Sequence, residues 1–295
     1  MKKLLISSIV AISLFGTQAY ALDANASTKN VSANAVVAAK ANANKKKSDI
    51  KVVKEAVESI NYVVKTIASI DANKKDEAIK NLEKAIGKIE VTLSDPKAPA
   101  LLPIDGKVIV SQFVGTAYDV ENAVITAEAL LDKKRVQDAR NIMLGLVDEV
   151  DFITVNLPLA TYPNALKLAA KNLKEGKLAD AKAILVNTLN TFVNVKTITP
   201  IGILVAQDLI NAASKVAKNN KKLALSHLAA AKEALKKSEA LGYVSTSDTT
   251  YKMLNDEISK IEKEVKGKNK AEKLFEDLIN KLKEFKEKAL KTTKK

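Results

Sequence analysis

The sequence predicts a mainly α protein: a bundle of helical hairpins with a small β element, followed by a C-terminal helical pair. Three observations carry this. Apolar residues recur at spacings of three and four along most of the 295 residues, which places them on one face of a helix. Three short β-branched or aromatic stretches, 108–110, 152–155 and 193–198, separate pairs of such segments. Glycine and proline are scarce, nine and six, and Pro163 and Pro200 stand at helix starts while Gly176 and Gly242 stand at helix ends.

The N-terminus reads as an export signal. Met1-Lys2-Lys3 is basic, Leu4 to Phe15 is an apolar run, and Ala19-Tyr20-Ala21 supplies a small-x-small cleavage site. Residues 1–21 are therefore expected to be removed, leaving a periplasmic protein that starts at Leu22. Residues 22–47 are rich in Ala, Asn, Ser and Lys without apolar periodicity, and are expected to form a flexible leader. A helical domain follows over 48–243, and a Lys/Glu-rich helical tail over 244–295.

Within the domain, Ser48 is a candidate N-cap for a first helix carrying Ile50, Val53, Val57, Ile60, Val64 and Ile67. Ala78, Leu82, Ala85 and Ile89 mark the second, which ends before Pro96, Pro99 and Pro103. The pattern then repeats as β stretch, helix, turn, helix: helices at 117–132 and 135–149, at 162–175 and 178–192, and at 200–217 and 220–240. The second helix of each pair carries a small residue and, one turn later, a large one: Ala139 and Met143, Ala181 and Leu185, Ala224 and Leu228. Ala78 and Leu82 form the same element. The spacings of 42 and 43 between the last three alanines suggest duplication. Thr161 and Thr199 stand before Tyr162-Pro163 and Pro200 as candidate caps, and Gly176 and Gly242 fit left-handed helix stops. In the tail, Leu254, Ile258, Ile261 and Val265 form one stripe. Asn269 and Glu272 open a helix with Phe275, Leu278, Ile279, Leu282 and Phe285 on its apolar face. Packing on the domain and self-association are the two roles open to this pair.

The string Leu157-Pro158-Leu159-Ala160-Thr161-Tyr162-Pro163, with Gly176-Lys177-Leu178-Ala179-Asp180-Ala181 and Thr199-Pro200-Ile201, resembles the YfdX family of exported bacterial proteins. The resemblance runs over about 50–241 and is most specific over 128–215. It implies a mainly helical domain with a small β element, a periplasmic setting and an association with stress responses. It brings no catalytic residues.

Composition narrows the chemistry. With no cysteine, disulfides, thiol catalysis and cysteine metal sites are excluded, and a single histidine, His227, gives no histidine cage. There is no phosphate loop, nucleophile elbow or His-Glu-x-x-His motif. The sequence thus predicts a non-enzymatic protein with no catalytic residues, no cofactor and no metal. Three side chains stand out as candidates for a ligand or an interface. Tyr162 opens a helix in the resemblance motif, with a ring expected to pack over Pro158 or Pro163. Asp151, with Asp148 and Glu149, forms an acidic cluster expected at a solvated helix end. His227 lies between Leu225 and Leu228 on a helix and titrates near neutrality.

The formal charge of +14 does not name a partner. The leader holds five lysines against one aspartate, and the tail 14 lysines against 10 acids, so much of the excess sits in the appendages. Arg135 and Arg140 are the only arginines, so the bidentate chemistry of nucleic-acid readers is nearly absent. No nucleic acid is expected. Membrane contact is disfavoured by the acids interspersed in the tail. The expected role is binding of small molecules or client proteins in envelope stress, with an oligomeric scaffold built through the C-terminal helices as the alternative.

Overall fold

The computed structural model describes residues 26–244, 249–267 and 271–292. The export signal, its cleavage site and Asn269 lie outside the described residues. Among these residues the chain forms eleven helices and one three-stranded antiparallel sheet of order β1-β2-β3. In chain order these are α1 (Ala26–Ser48), α2 (Lys54–Asp71), α3 (Lys75–Leu93), β1 (Leu101–Ser111), α4 (Ala117–Asp132) and α5 (Val136–Leu144). There follow β2 (Glu149–Pro158), α6 (Tyr162–Lys174), α7 (Leu178–Leu189), β3 (Val193–Pro200), α8 (Ile201–Val216), α9 (Lys221–Ala240), α10 (Tyr251–Lys266) and α11 (Glu272–Thr292).

These elements divide into two compact units, which cut across the boundaries expected at 47 and 243. The first comprises Met1–Lys45, Val108–Phe152 and Thr197–Lys295, and the second Lys46–Lys107 and Ile153–Lys196. Each strand passes along the chain from one unit into the other, so each unit holds part of the sheet.

The second unit is built of two helical hairpins, α2–α3 and α6–α7. Ala78, Leu82, Ala85 and Ile89 are fully buried on α3, as their spacing requires. On α6 and α7, Leu166, Ala169, Leu173, Ala181 and Leu185 are likewise buried, and Gly176 makes the turn at φ 78°. The stripe expected on α2 is rotated. Ala56, Ser59, Val63 and Thr66 face the core, whereas Val64 is exposed and Ile60 and Ile67 are half-buried. The small side chains of Ala56 and Ser59 sit where α3 approaches, and the Ser59 hydroxyl donates to the Ala85 carbonyl at 2.8 Å. Ser48 does not cap this helix. It ends α1, and α2 begins after Val53, whose N–H is held by the Pro103 carbonyl of β1 at 2.9 Å.

In the first unit α8 and α9 pair closely along Ile201, Val205, Leu209, Ala213, Ala224, Leu228, Ala231 and Leu235, all buried. A Cβ on Gly202 would stand 2.2 Å from Ser238 Oγ and 2.5 Å from the Ala234 carbonyl, so only glycine permits this approach. The tail packs into the same core. Leu254, Ile258, Ile261 and Val265 of α10 and Phe275, Leu278, Leu282 and Phe285 of α11 are buried, with Tyr251 edge-on to Phe285.

Further expectations are corrected by the structure. Residues 26–47 of the expected flexible leader belong to α1, which ends at Ser48. Its contacts come from small side chains, Thr28, Ala35 and Ala43, spaced seven and eight apart so that all return to one face. The helix expected over 135–149 stops at Leu144, and Glu149 already belongs to β2. Pro200, in extended geometry, takes the N-cap position expected of Thr199, and Thr161 makes no side-chain cap.

Candidate functional site

The early end of α5 changes the meaning of the acidic cluster. Asp148, Glu149 and Asp151 were expected at a solvated helix end, yet all three are buried, Asp148 fully. The β-branched Val147 and Val150 draw this segment into extended, core-facing backbone and carry the acids with them.

Asp148 is met by Lys237 of α9. Lys237 Nζ lies 2.8 Å from Asp148 Oδ2, and the two side chains are 2% and 1% exposed. The backbone of Phe113, in the loop after β1, serves both charges. Its N–H donates to Asp148 Oδ1 at 3.2 Å, and its carbonyl accepts from Lys237 Nζ at 3.4 Å. The Asp148 main chain is fixed too: its N–H donates to the Tyr243 hydroxyl at 3.0 Å and its carbonyl accepts from the Ile201 N–H at 2.9 Å. The Tyr243 hydroxyl in turn donates to Glu149 Oε2 at 2.7 Å. Burial pushes the Asp148 carboxyl above the ordinary carboxylate range, and the adjacent Lys237 ammonium works against that rise. Burial and the bond to Glu149 both hold the Tyr243 phenol well above its usual range, so it stays a donor.

One turn before Lys237, Glu233 accepts the N–H of Ala117 at the start of α4 at 2.8 Å. The same face of α9 continues through Ala234 and Ala230. With Ile201, Gly202 and Val205 of α8 they form the apolar wall of an open cleft with a cavity volume of about 40 Å³. Asp148 and Lys237 close one part of it, and Thr28, Lys29 and Ser32 of α1 border it. All these residues belong to the first unit. Two cations and two carboxylates thus line a largely apolar cleft, a lining of balanced charge.

None of the three singled-out candidates lines the pocket. His227 is on the same helix and is buried. Its Nδ1 lies 3.0 Å from the Thr28 hydroxyl, a bond that ties α1 to α9, and burial lowers its pKa below 6.5. Asp151 is buried two residues into β2 of the same unit. Tyr162 belongs to the second unit, fully buried in its core with its hydroxyl 3.4 Å from Ser59 Oγ. Burial raises the phenol to about 12, a value at which it stays neutral. Sequence reasoning missed Lys237, hidden in the pair Lys236-Lys237 that reads as solvated. The signal was there: it lies three residues after Ala234 and seven after Ala230, on the buried face. Among the described residues no three acidic or histidine side chains converge as a metal cage. No described helix is long and apolar enough to cross a membrane.

Comparison with known proteins places the hairpin repeats in context. The YfdX protein family matches residues 59–198, a narrower span than the expected 50–241. A solved structure of Salmonella Typhi YfdX is similar at 14% identity, covering 51% of this chain and 93% of that one, with a TM-score of 0.35. No curated relative matches the chain. The likeness to the YfdX family is thus shown over residues 59–198, just under half of the chain.

Proposed function

We propose that this is a non-enzymatic, periplasmic binding protein of the envelope stress response that takes small amphipathic molecules with a dipolar head into the pocket of the first unit. The single observation that carries the reading is that site: an open, largely apolar cleft with a buried Asp148–Lys237 pair in its lining. Ile201, Val205, Ala230 and Ala234 suit an apolar body. The balanced charges of Lys29, Lys237, Asp148 and Glu233 suit a head bearing both signs, and a strongly anionic or cationic head would meet as much repulsion as attraction. Export rests on the basic, apolar and small-x-small pattern of residues 1–21, and the stress association on the family. A scaffold joined through α10 and α11 is the weaker reading, because the apolar faces it needs are packed inside their own unit.

The test is a titration of the full chain with ε-dansyl-lysine, which pairs a zwitterionic head with an apolar fluorophore. The reading expects saturable enhancement of emission at one equivalent per chain. It also expects loss of that signal in Val205→Trp, which fills the cleft, at a retained thermal transition. No saturable signal in the parent protein, or an unchanged one in a folded Val205→Trp, contradicts the reading.

A further inference from the structure

The cleft of the first unit, as it stands, is too small to enclose the amphipathic molecules proposed for it. Its cavity of about 40 Å³ compares with roughly 300–1,000 Å³ for sites that surround a drug-sized ligand. One of its walls has to move when it fills. Two walls are fixed. Helices α8 and α9 interlock along buried Leu209, Ala213, Ala224 and Leu228, with Gly202 pressed against the Ala234 carbonyl. Asp148 is held at its main-chain N–H, at its carbonyl and through its ion pair with Lys237.

The third wall is α1, which contributes Thr28, Lys29 and Ser32. It is held far more lightly. Its buried residues among those described are Thr28, Ala35 and Ala43, so each contact removes little apolar surface from water. No described helix pairs along α1 as closely as α9 pairs along α8. Beside the cleft the hold is polar. Thr28 Oγ1 lies 3.2 Å from Ser226 Oγ and 3.0 Å from His227 Nδ1, both on α9. The Ser32 hydroxyl turns back along its own helix and donates to the Thr28 carbonyl at 3.1 Å. Hydrogen bonds of this kind are exchanged for bonds to water at small net cost, so a helix end held by them opens more readily than one held by leucine.

We infer, resting on the ligand site proposed above, that the N-terminal half of α1 is a lid over the cleft. It leaves α9 by breaking the contacts of Thr28 with Ser226 and His227, which admits the ligand onto the apolar wall of α8 and α9. It then closes again, with Lys29 returned to the ligand head opposite Lys237. The cleft seen in the structure is the closed state, and the rate of filling is set by the fraction of molecules in which the lid is open.

The chain has no cysteine, so one disulfide can be placed without competing pairings. In Thr28→Cys/Ser226→Cys the 3.2 Å contact becomes a covalent latch that a reductant opens. Stopped-flow mixing of the full chain with ε-dansyl-lysine is expected to show association at least about tenfold slower in the oxidised than in the reduced form of this variant. Thr28→Val keeps the shape of the side chain and loses the latch, and is expected to associate about fivefold faster than the parent. Hydrogen exchange without ligand is the second readout. Amides 28–40 of the parent are expected to exchange at least about a hundredfold faster than those of 228–235, through an opening that low urea does not accelerate, and the disulfide is expected to suppress it. Equal association rates in the oxidised and reduced forms overturn the inference. So does a Thr28→Val variant no faster than the parent, or exchange of 28–40 that occurs only with global unfolding. A parent whose α1 opens locally but gives no saturable emission contradicts the ligand site itself, and the gating role falls with it.

Discussion

The two compact units bury polar groups in opposite ways. The second unit encloses only neutral ones beside its aliphatic core: Ser59 bonded to Ala85, Thr66 bonded to Tyr62, and Tyr162 next to Ser59. The first encloses a lysine, a histidine and three carboxylates. Helical hairpins of this size pack well without buried charge, as the second unit demonstrates. A buried ion pair adds little net stability over apolar residues of similar volume, since desolvation offsets much of its attraction. The proposed ligand site would give the charges of the first unit a role that packing alone does not require.

The largest expected effect breaks that contrast directly. Lys237→Met leaves Asp148 buried without its countercharge and should cost about 3–5 kcal/mol in urea unfolding. The sign with pH follows from the raised Asp148 pKa. Its favourable contribution is complete below the unfolded value near 3.8 and is lost as pH rises through the folded value. Without Lys237 that folded value climbs further, so the deficit should shrink on acidification. A deficit that grows as pH falls would refute the assignment.

Next comes Gly202→Ala, which forces a methyl against the Ala234 carbonyl and Ser238 Oγ. About 1–3 kcal/mol should be lost in thermal unfolding. Ser238→Gly in the same chain should return only part of it, because the Ala234 carbonyl remains.

A smaller effect concerns α1. Because burial depresses the His227 pKa, its contribution is present above 6.5 and is lost as pH falls through the lowered folded value. Limited proteolysis within 26–48 should therefore accelerate on acidification, and Thr28→Val, which removes the bond to His227, should loosen α1 by about 1 kcal/mol at neutral pH. Equal cleavage rates on both sides of that range would show that His227 does not hold this helix. The smallest change is expected in the neutral unit. Tyr162→Phe gives up one long bond while Ser59 keeps Ala85, and its melting temperature should fall by a shift equivalent to about 0.5 kcal/mol.

Much of this architecture was legible in the residues. Strong periodicity gave α3, α6, α7, α10 and α11, and Gly176 and Gly242 adopt the left-handed turns their positions implied. What escaped was decided by tertiary contact. Helix α1 has almost no amphipathic pattern, since two alanines and a threonine make its buried line. The end of α5 was hidden because Leu146 and Val147 continue an apolar run that either a helix or a strand accepts. Once that boundary moved, Asp148 turned from a surface acid into the partner of Lys237, so the site was illegible for the same local reason as the fold. Tyr162, prominent in the motif, proved a core residue.

The central claim is that the Asp148–Lys237 pair serves a ligand rather than the packing. Asp148→Asn/Lys237→Met removes both charges together, and the amide oxygen that replaces the carboxylate can still accept the Phe113 N–H. Calorimetric titration of this double variant with ε-dansyl-lysine is the direct test. The account predicts stability within about 1–2 kcal/mol of the parent and affinity reduced at least about tenfold. Parent-like affinity in that folded variant would contradict it.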